Sequence, residues 1–386
     1  MSITLCYLSS GNPNCRQSGN IVDISQAINF EAVKASNPAA AELLNLSAFL
    51  APDNIPYELL LLGKAHLGEL LSQALADAPE NELVLPELLE ELTRYSLIRL
   101  ETDYRYSIHR LVQEVLRDVL KEAEQQWQAR VIEALNQAFP SPKFENWRQC
   151  ERLVEQVQVL IEENSLPVSA ALARLLNETG YYLDDQGRYV EVEPLYLKSL
   201  ELKRKQVGGQ HLDIAITLNN LACLYRAQGR YSKAEPLCLQ ALQMRRVLLG
   251  ENHPDVANSL DNLACLYRVQ GRYREAEPLS IQALQVNRGL LGENHPNVAN
   301  NLDNLALLYD EQERYAEAEP LFLQALYMRK ALLGETHPDV AISLNNLGAL
   351  YIPQPSPRRP ACCSNRVRTL LRRHCRSNQP VHRRSS

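Results

Sequence analysis

A period of 42 residues constrains this chain more than any other feature. Histidines recur at this spacing from His211 to His337, and asparagines recur in the same way from Asn220 to Asn346. A fixed period of roughly 20–50 residues is typical of chains in which each unit packs on its neighbours. The sequence therefore predicts a solenoid of similar units over its second half.

The pattern inside each unit indicates two helices. From Leu221 it reads Leu-Ala-x-x-Tyr-x-x-x-Gly-x-Tyr-x-x-Ala, and it returns with Gly271 and then Glu313 at the glycine position. Small alanines let two antiparallel helices approach closely, while Leu and Tyr fill the space between them. A glycine between the helices suits a tight turn. Each unit is therefore predicted to be a helix pair, A followed by B.

This pattern resembles the tetratricopeptide repeat in the 42-residue variety of kinesin light chains. The extra length over the usual ~34 residues lies in the linker Leu-Gly-Glu-Asn-His-Pro. There a glycine such as Gly250 can end helix B, and a proline such as Pro254 can open the next helix A. The resemblance implies a mostly α fold, a solenoid of antiparallel helix pairs whose A helices line a concave groove for protein segments.

Charge is distributed unevenly along the chain. The formal net charge is −6, but residues 352–386 hold nine Arg and no Asp or Glu, so residues 1–351 carry −15. An acidic body argues against a general nucleic-acid binder. The helical pattern stops after Tyr351 in mid-unit, which favours a disordered basic tail over 352–386. The alternatives are a frame altered after codon 351, or a tail that binds RNA or anionic lipid.

The cysteines and apolar runs bear on location. Nine cysteines are scattered without Cys-x-x-Cys spacing, which indicates reduced thiols rather than a disulfide framework or a metal site. The amino terminus lacks a basic segment followed by a long apolar stretch, and no apolar run approaches the ~20 residues that cross a bilayer. We therefore expect a soluble, cytoplasmic protein without membrane contact.

The first third of the chain predicts a separate small domain. Residues 1–28 carry no clear periodicity and are left unassigned. Over 29–123 helical segments are followed by alternation typical of a hairpin at about 96–108, and then by an amphipathic helix. Helices followed by a hairpin wing indicate a winged-helix-like domain.

That domain also resembles the winged-helix end of NB-ARC (STAND) signalling ATPases, in Tyr95-Ser-Leu-Ile and Ser107-Ile-His-Arg-Leu-Val-Gln. The resemblance would make His109 a vestigial nucleotide sensor, although the Asp of the family's Met-His-Asp motif is Arg110 here. No G-x-x-x-x-G-K-[ST] loop occurs, and Glu58 stands where the first glycine would precede Gly63-Lys64. Without such a loop we predict no nucleotide and no other cofactor, and a helix-start role for His109.

The domain scheme follows from these patterns. Residues 124–167 form a degenerate helix pair, because Trp147 and Glu151 precede Tyr189 and Glu193 by one period. The tetratricopeptide array is predicted over 168–351. Its units span about 168–208, 209–250, 251–292 and 293–334, with a half unit at 335–351.

A helical projection of each A helix separates a buried side from a predicted groove side. Asparagine amides offer both a donor and an acceptor, so a row of them can pair with the backbone of an extended peptide. The alternative is that they bond neighbouring helices and fix repeat stacking. The predicted groove residues are Asn219, Asn220, Arg226, Asn258, Asp261, Asn262, Arg268, Asn300, Asp303, Asn304, Asp310, Asn345 and Asn346.

Two other repeated features are given structural roles. One His per unit places successive histidines about one repeat apart, around 10 Å for packed helices, which is too far to share one metal ion. We therefore predict turn or cap residues and no metal site. The arginines Arg188, Arg230, Arg272 and Arg314 are interpreted as solvated turn charges.

The function predicted from the sequence is a non-enzymatic scaffold that binds peptide segments of partner proteins in the groove. No paired carboxylates, Ser/His/Asp set or Cys/His couple has converging spacing. One alternative is a sensor fragment of a STAND ATPase whose ATPase module lies elsewhere in a related full-length protein. A weaker one is nucleic-acid binding through the winged helix or the basic tail.

Overall fold

The computed structural model describes residues 21–76, 84–162 and 166–351. The chain divides into two compact units, Met1–Tyr182 and Leu183–Ser386. The predicted fold class is confirmed: helix pairs form a repeat array, and a small helical domain with a β-hairpin precedes them in the chain. The predicted basic tail at 352–386 and the first twenty residues lie outside the described residues.

The first unit begins with helices that surround a small sheet. Leu43, Leu44 and Tyr106 are fully buried there, and the Tyr106 hydroxyl lies 2.8 Å from that of Ser47. The elements are α1 (Ile21–Ser36), α2 (Pro38–Ser47), β1 (Ile55–Pro56), α3 (Tyr57–Leu62), α4 (Glu69–Ala76), α5 (Val84–Arg94), β2 (Ile98–Glu101), β3 (Arg105–Ile108) and α6 (Arg110–Val119).

The amino-terminal boundary differs from the prediction. Helix α1 starts at Ile21, so residues 21–28 were wrongly left unassigned. The isoleucines at 21, 24 and 28 do have helical spacing, but the polar residues between them made the helical period unclear in the sequence.

The predicted hairpin at about 96–108 is confirmed as antiparallel strands β2 and β3, with Ile98 opposite Ile108. The structure adds a third strand that the sequence did not reveal. Strand β1 pairs with β3, giving the order β1-β3-β2. It has two residues, one of them Pro56, which is too short a stretch to show alternation.

The predicted helix pair is formed by α7 (Glu124–Ala138) and α8 (Trp147–Glu162). Helix α8 holds the hairpin turn through Arg152, whose guanidinium ion-pairs with Asp103 and donates to its carbonyl at 2.7 Å. The same side chain reaches Glu58 at 2.9 Å. The wing is therefore fixed to the helix pair within the first unit.

The repeat helices follow the period residue for residue. Helices A begin at 212, 254, 296 and 338, and helices B begin at 231, 273 and 315. Leu218 and Ala241 are fully buried in the core of the unit at 209–250. The helices are α9 (Ala170–Asp185), α10 (Tyr189–Val207), α11 (Leu212–Ala227), α12 (Tyr231–Leu249), α13 (Pro254–Val269), α14 (Tyr273–Leu291), α15 (Pro296–Glu311), α16 (Tyr315–Leu333) and α17 (Pro338–Leu350).

The turn from helix A to helix B requires a left-handed backbone. Gly229 and Gly271 have φ of 71° and 74° there. Glu313 takes the equivalent position with φ of 60°. A side chain is strained in this region, where glycine is not. The unit at 293–334 therefore keeps the turn at a cost in backbone energy.

Each helix B sends one polar side chain into the next helix A, and the four junctions use three kinds of pair. Lys203 donates to Thr217 at 2.8 Å, and Arg245 donates to Ser259 at 2.7 Å. The two following junctions use an Asn287–Asn301 bond of 2.7 Å and a bond from Arg329 to Ser343. These four interrepeat pairs are buried, so each satisfies polar groups that water does not reach.

Candidate peptide-binding groove

The predicted groove residues all lie on the A helices α11, α13, α15 and α17. Residues 42 positions apart occupy the same place in successive A helices, so their side chains form rows along the array. The asparagine row consists of Asn220, Asn262, Asn304 and Asn346. Its role in binding a peptide stays a prediction.

Three predicted residues have amides that are available to a ligand. Asn258, Asn262 and Asn346 are half-buried, and none of them has a hydrogen bond to another side chain or backbone group in the described part of the chain. Each amide retains a donor and an acceptor. Asn345 is exposed, whereas Asn219 is 6% exposed.

Other predicted residues bond to neighbouring repeats. Asn304 donates to Asp261 at 2.6 Å, and Asn300 accepts from Arg329 at 2.7 Å. Asp303 is 3% exposed; it accepts from Ser343 at 3.1 Å and ion-pairs with Arg329. These contacts join neighbouring repeats, which was the alternative interpretation of the asparagine row. They use polar atoms that the groove prediction had assigned to ligand binding.

Asp261 is a buried carboxylate without a direct cation. Arg329 neutralises Asp303, but Asn287 stands at the corresponding position one repeat earlier. Burial raises the pKa of Asp261 to about 6, while the bond from Asn304 and the charges of Arg226 and Arg268 act to lower it. This junction therefore contains a carboxyl group that titrates near neutral pH.

A second row, Asp184, Arg226, Arg268 and Asp310, carries charge. Arg268 ion-pairs with Glu311, but Val269 takes the equivalent place beside Arg226. Arg226 accordingly makes no ion pair with any residue that the structure describes. Burial raises the pKa of Asp184 to about 6, and Arg226 acts to lower it. The charge of Arg226 therefore acts on the buried carboxyl groups of Asp184 and Asp261 without a direct ion pair.

The thiols of this face are not activated. Cys265 follows Cys223 by one repeat, and burial raises the pKa of Cys265 to about 12. Burial also raises the pKa of Cys223. A thiol is nucleophilic as the thiolate, so these side chains act as small packing residues at neutral pH.

The repeated histidines are helix caps, as predicted. The Nδ1 atoms of His211, His253, His295 and His337 accept from the backbone N–H two residues later, at 3.1–3.2 Å. His109 does the same for α6 at 3.2 Å from Leu111. The helix-start role predicted for His109 is therefore confirmed, and nothing in this geometry assigns it a nucleotide contact.

The turn arginines were wrongly interpreted as solvated charges. Arg272 pairs with Glu235 of the preceding helix B at 2.9 Å, and Arg314 pairs with Glu277 at 2.9 Å. The guanidinium of Arg272 also lies 3.9 Å from the ring centroid of Tyr267. The signal that could have revealed this is the Glu-Pro pair, which recurs 37 residues before Arg230, Arg272 and Arg314.

Two absences concern the described residues alone. No group of three or more His, Cys, Asp or Glu side chains there is arranged to hold a metal ion. None of the described helices is long and apolar enough to cross a bilayer.

Family models support the repeat assignment. Tetratricopeptide-repeat models match residues 214–255, 266–331 and 311–352. The array is a tetratricopeptide-repeat array. A further model, described as a domain of unknown function (DUF7779), matches residues 31–125, close to the predicted winged-helix-like domain.

One relative is a nucleotide-binding leucine-rich repeat (NLR)-like protein of Hyaloscypha variabilis, 34% identical over 209 residues. The match covers 53% of this chain, and the chain spans only 19% of the relative's length.

Several solved structures are similar to this chain. BtubC (BKLC) of P. vanneervenii is 26% identical, with TM-score 0.46, covering 63% of this chain and 95% of its own. A Podosopora anserina putative kinesin light chain with nearly identical TPR-like repeats is 19% identical, with TM-score 0.38, covering 56% and 95%. A Pyrococcus horikoshii STAND protein with a tetratricopeptide repeat sensor is 13% identical, with TM-score 0.35, covering 84% and 62%.

Proposed function

We propose that the repeat array is a non-enzymatic, cytoplasmic scaffold that binds extended peptide segments of partner proteins along the asparagine row. The observation that carries the proposal is the same residue type at one position of four successive A helices, from Asn220 to Asn346. The backbone groups of an extended peptide recur regularly, so a row of amides can pair with them whatever the peptide's side chains are.

The asparagines of the row differ in their contacts. Asn262 and Asn346 have unpaired amides in the described part of the chain and would contact the peptide. Asn304 also holds Asp261 in place. Of the predicted charge-setting residues, Arg268 and Asp303 are engaged by Glu311 and Arg329. Arg226 makes no ion pair with a described residue, and it is the predicted charge-setting residue that we assign to charge preference.

The test uses a peptide selected from a displayed random library on the full chain. The double variant Asn262→Ala, Asn346→Ala should lose most of the affinity because it removes two donor–acceptor pairs, while helical circular dichroism stays unchanged. Asn294→Ala is the matched control, since Asn294 is exposed in a linker outside the row. Undiminished binding by the folded double variant would falsify the groove assignment.

A second candidate is a sensor region of a STAND signalling ATPase. It is supported by the match to the NLR-like protein, of which this chain spans 19%. The test is to sequence the genomic DNA on both flanks of this reading frame. An in-frame upstream G-x-x-x-x-G-K-[ST] loop is expected under this candidate, whereas unrelated flanks would remove it.

A further inference from the structure

The amide of Asn304, a member of the asparagine row, is held in one orientation by a carboxylate. Its Nδ2 atom donates to Oδ2 of Asp261 at 2.6 Å. An ionised carboxylate only accepts hydrogen bonds, so the amide must present its nitrogen, not its oxygen, to Asp261. Asn304 is half-buried, and its oxygen has no partner within the described part of the array. That oxygen is available to a donor in the groove.

The corresponding positions of two other repeats do not form this contact. The residue 43 positions before Asn262 is the neutral Asn219, and the residue 43 positions before Asn346 is Asp303. The carboxylate of Asp303 is engaged by Arg329. Of the three groove asparagines compared, Asn304 alone bonds a carboxylate among the described residues.

Asp261 can change its protonation state near neutral pH. It is 7% exposed, and its Oδ1 atom has no hydrogen-bond partner within the described ranges. Burial raises its pKa to about 6. The titratable, charged and amide groups that face it are Cys223 and Arg226 of α11, Cys265 and Arg268 of α13 itself, and Asn301 and Asn304 of α15, while Asn287 of α14 donates to Asn301.

The two protonation states of Asp261 favour different orientations of the Asn304 amide. A protonated carboxyl group carries an O–H donor, which the amide oxygen of Asn304 can accept once the amide is turned over. The oxygen and nitrogen of an amide are nearly equal in size, so the turn changes the hydrogen bonds and leaves the packing in place. The nitrogen then faces the groove in place of the oxygen.

We propose that Asp261 is a positioning residue for the groove: it orients the Asn304 amide and thereby selects which backbone group of a bound peptide pairs there. With Asp261 ionised, Asn304 accepts from a peptide N–H; with Asp261 protonated, it donates to a peptide C=O. This inference rests on the proposed function, in which the asparagine row pairs with the peptide backbone. Because N–H and C=O groups alternate along an extended chain, the choice fixes the register of the peptide at this position.

The first experiment follows the free protein by NMR, with only its asparagines labelled with ¹⁵N. The side-chain NH₂ resonances of Asn304 are identified by their loss in Asn304→Ala. We expect them to shift with a midpoint near pH 6 in the parent and to be insensitive to pH in Asp261→Asn. In Asn287→Arg the midpoint should move to lower pH, because an added cation stabilises the ionised carboxylate. Asn304 resonances that do not titrate in the parent would overturn the proposal.

The second experiment measures binding of a peptide that is selected on the full chain at pH 8. The peptide is acetylated and amidated at its ends and lacks Asp, Glu and His, so it does not itself titrate between pH 5 and 8. Its affinity should fall about three- to tenfold as pH falls through 6 to 5, the effect of losing one hydrogen bond. Asp261→Asn should remove this pH dependence, and Asn287→Arg should retain the affinity at pH 5.

Asp213→Asn is the matched control, since it removes a carboxylate that is exposed at the start of α11, and it should follow the parent at every pH. The same pH dependence in Asp261→Asn as in the parent would overturn the proposal. It would leave the proposed function standing if Asn262→Ala, Asn346→Ala still weakens the peptide. A peptide that this double variant binds as tightly as the parent does would contradict the proposed function, and the present inference with it.

Discussion

Arg272 donates to the carboxylate of Glu235, a residue 37 positions earlier in the chain, at 2.9 and 3.0 Å. The two residues belong to different repeats, so the pair joins one turn to the preceding helix B. Both side chains are about one-third exposed. The pair therefore acts in a partly screened environment, where ion pairs contribute modestly.

This pair predicts salt-sensitive coupling between repeats. Arg272→Gln and Glu235→Gln should each lower the thermal midpoint, and the double variant should lower it by less than the sum of the two. The measurement is a double-mutant cycle at low salt and in about 1 M NaCl, where the coupling should shrink because exposed charges are screened. Additive effects in both buffers would show that the contact carries no coupling.

Glu313→Gly should stabilise the array. Glu313 has φ of 60° in a turn where the other units have glycine, and its side chain is exposed, so the change relieves backbone strain and removes little packing. We expect a gain of about 0.5–1 kcal/mol. Chemical denaturation measures it, and Gly271→Ala is the mirror control that should lose a similar amount. A less stable Glu313→Gly protein would mean that strain is not the controlling factor.

His253 should behave as a helix cap. Its Nδ1 accepts from the Asp255 N–H at 3.1 Å, so His253→Ala leaves a donor of α13 unpaired and should cost about 1 kcal/mol. His253→Asn keeps an acceptor at that position and should recover most of the loss. Equal destabilisation in urea by Ala and Asn would show that the imidazole acts through packing instead.

Asp261 should make stability depend on pH in a defined direction. Its folded pKa is raised to about 6 from the ordinary 3.8, so the folded state binds the proton more tightly than the unfolded state. The stabilisation is complete below pH ~4 and is lost as pH rises through about 6. Asp261→Asn avoids that loss and should be more stable than the parent by roughly 2–3 kcal/mol at pH 8, with little difference at pH 4.

The control for Asp261 is Asn287→Arg, which copies the cation that Arg329 gives to Asp303. It should flatten the same part of the pH profile while leaving the carboxyl group in place. Cys265 also faces Asp261, together with Arg226 and Arg268, and all three are unchanged in both variants. If stability depends on pH in the same way in the parent and in both variants, the pH dependence does not come from Asp261.

Local signals predicted the array well because they act over short distances. The His-Pro pairs fix the starts of α13, α15 and α17, since the cap and the first helical residue are adjacent in sequence. The β2–β3 hairpin could also be predicted, because its two strands are close together in the sequence. Strand β1 could not be predicted, because its two residues form a strand only through pairing with the distant strand β3.

The candidate groove was predicted less completely, and the reason is again distance along the chain. A helical projection treats each A helix as isolated, so it placed Asp303 toward the ligand. In the structure Arg329 comes from a helix 26 residues later and engages that carboxylate. The same limit hid the Glu235–Arg272 pair. Which face a residue occupies was readable from the period, but which neighbour it bonds was not.

The four interrepeat pairs have a consequence for how the array assembles. Units that are so similar could dock in a wrong order during folding, which is a known hazard of repeat chains. A misplaced docking of α12 on α15 would set Arg245 against Asn301 instead of Ser259, and would leave Asn287 without its amide partner. Because unsatisfied buried polar groups are costly, the three kinds of interrepeat pair disfavour wrong dockings that match a side chain of one kind with a partner of another. Only the Arg245–Ser259 and Arg329–Ser343 junctions could exchange partners without leaving a buried polar group unpaired.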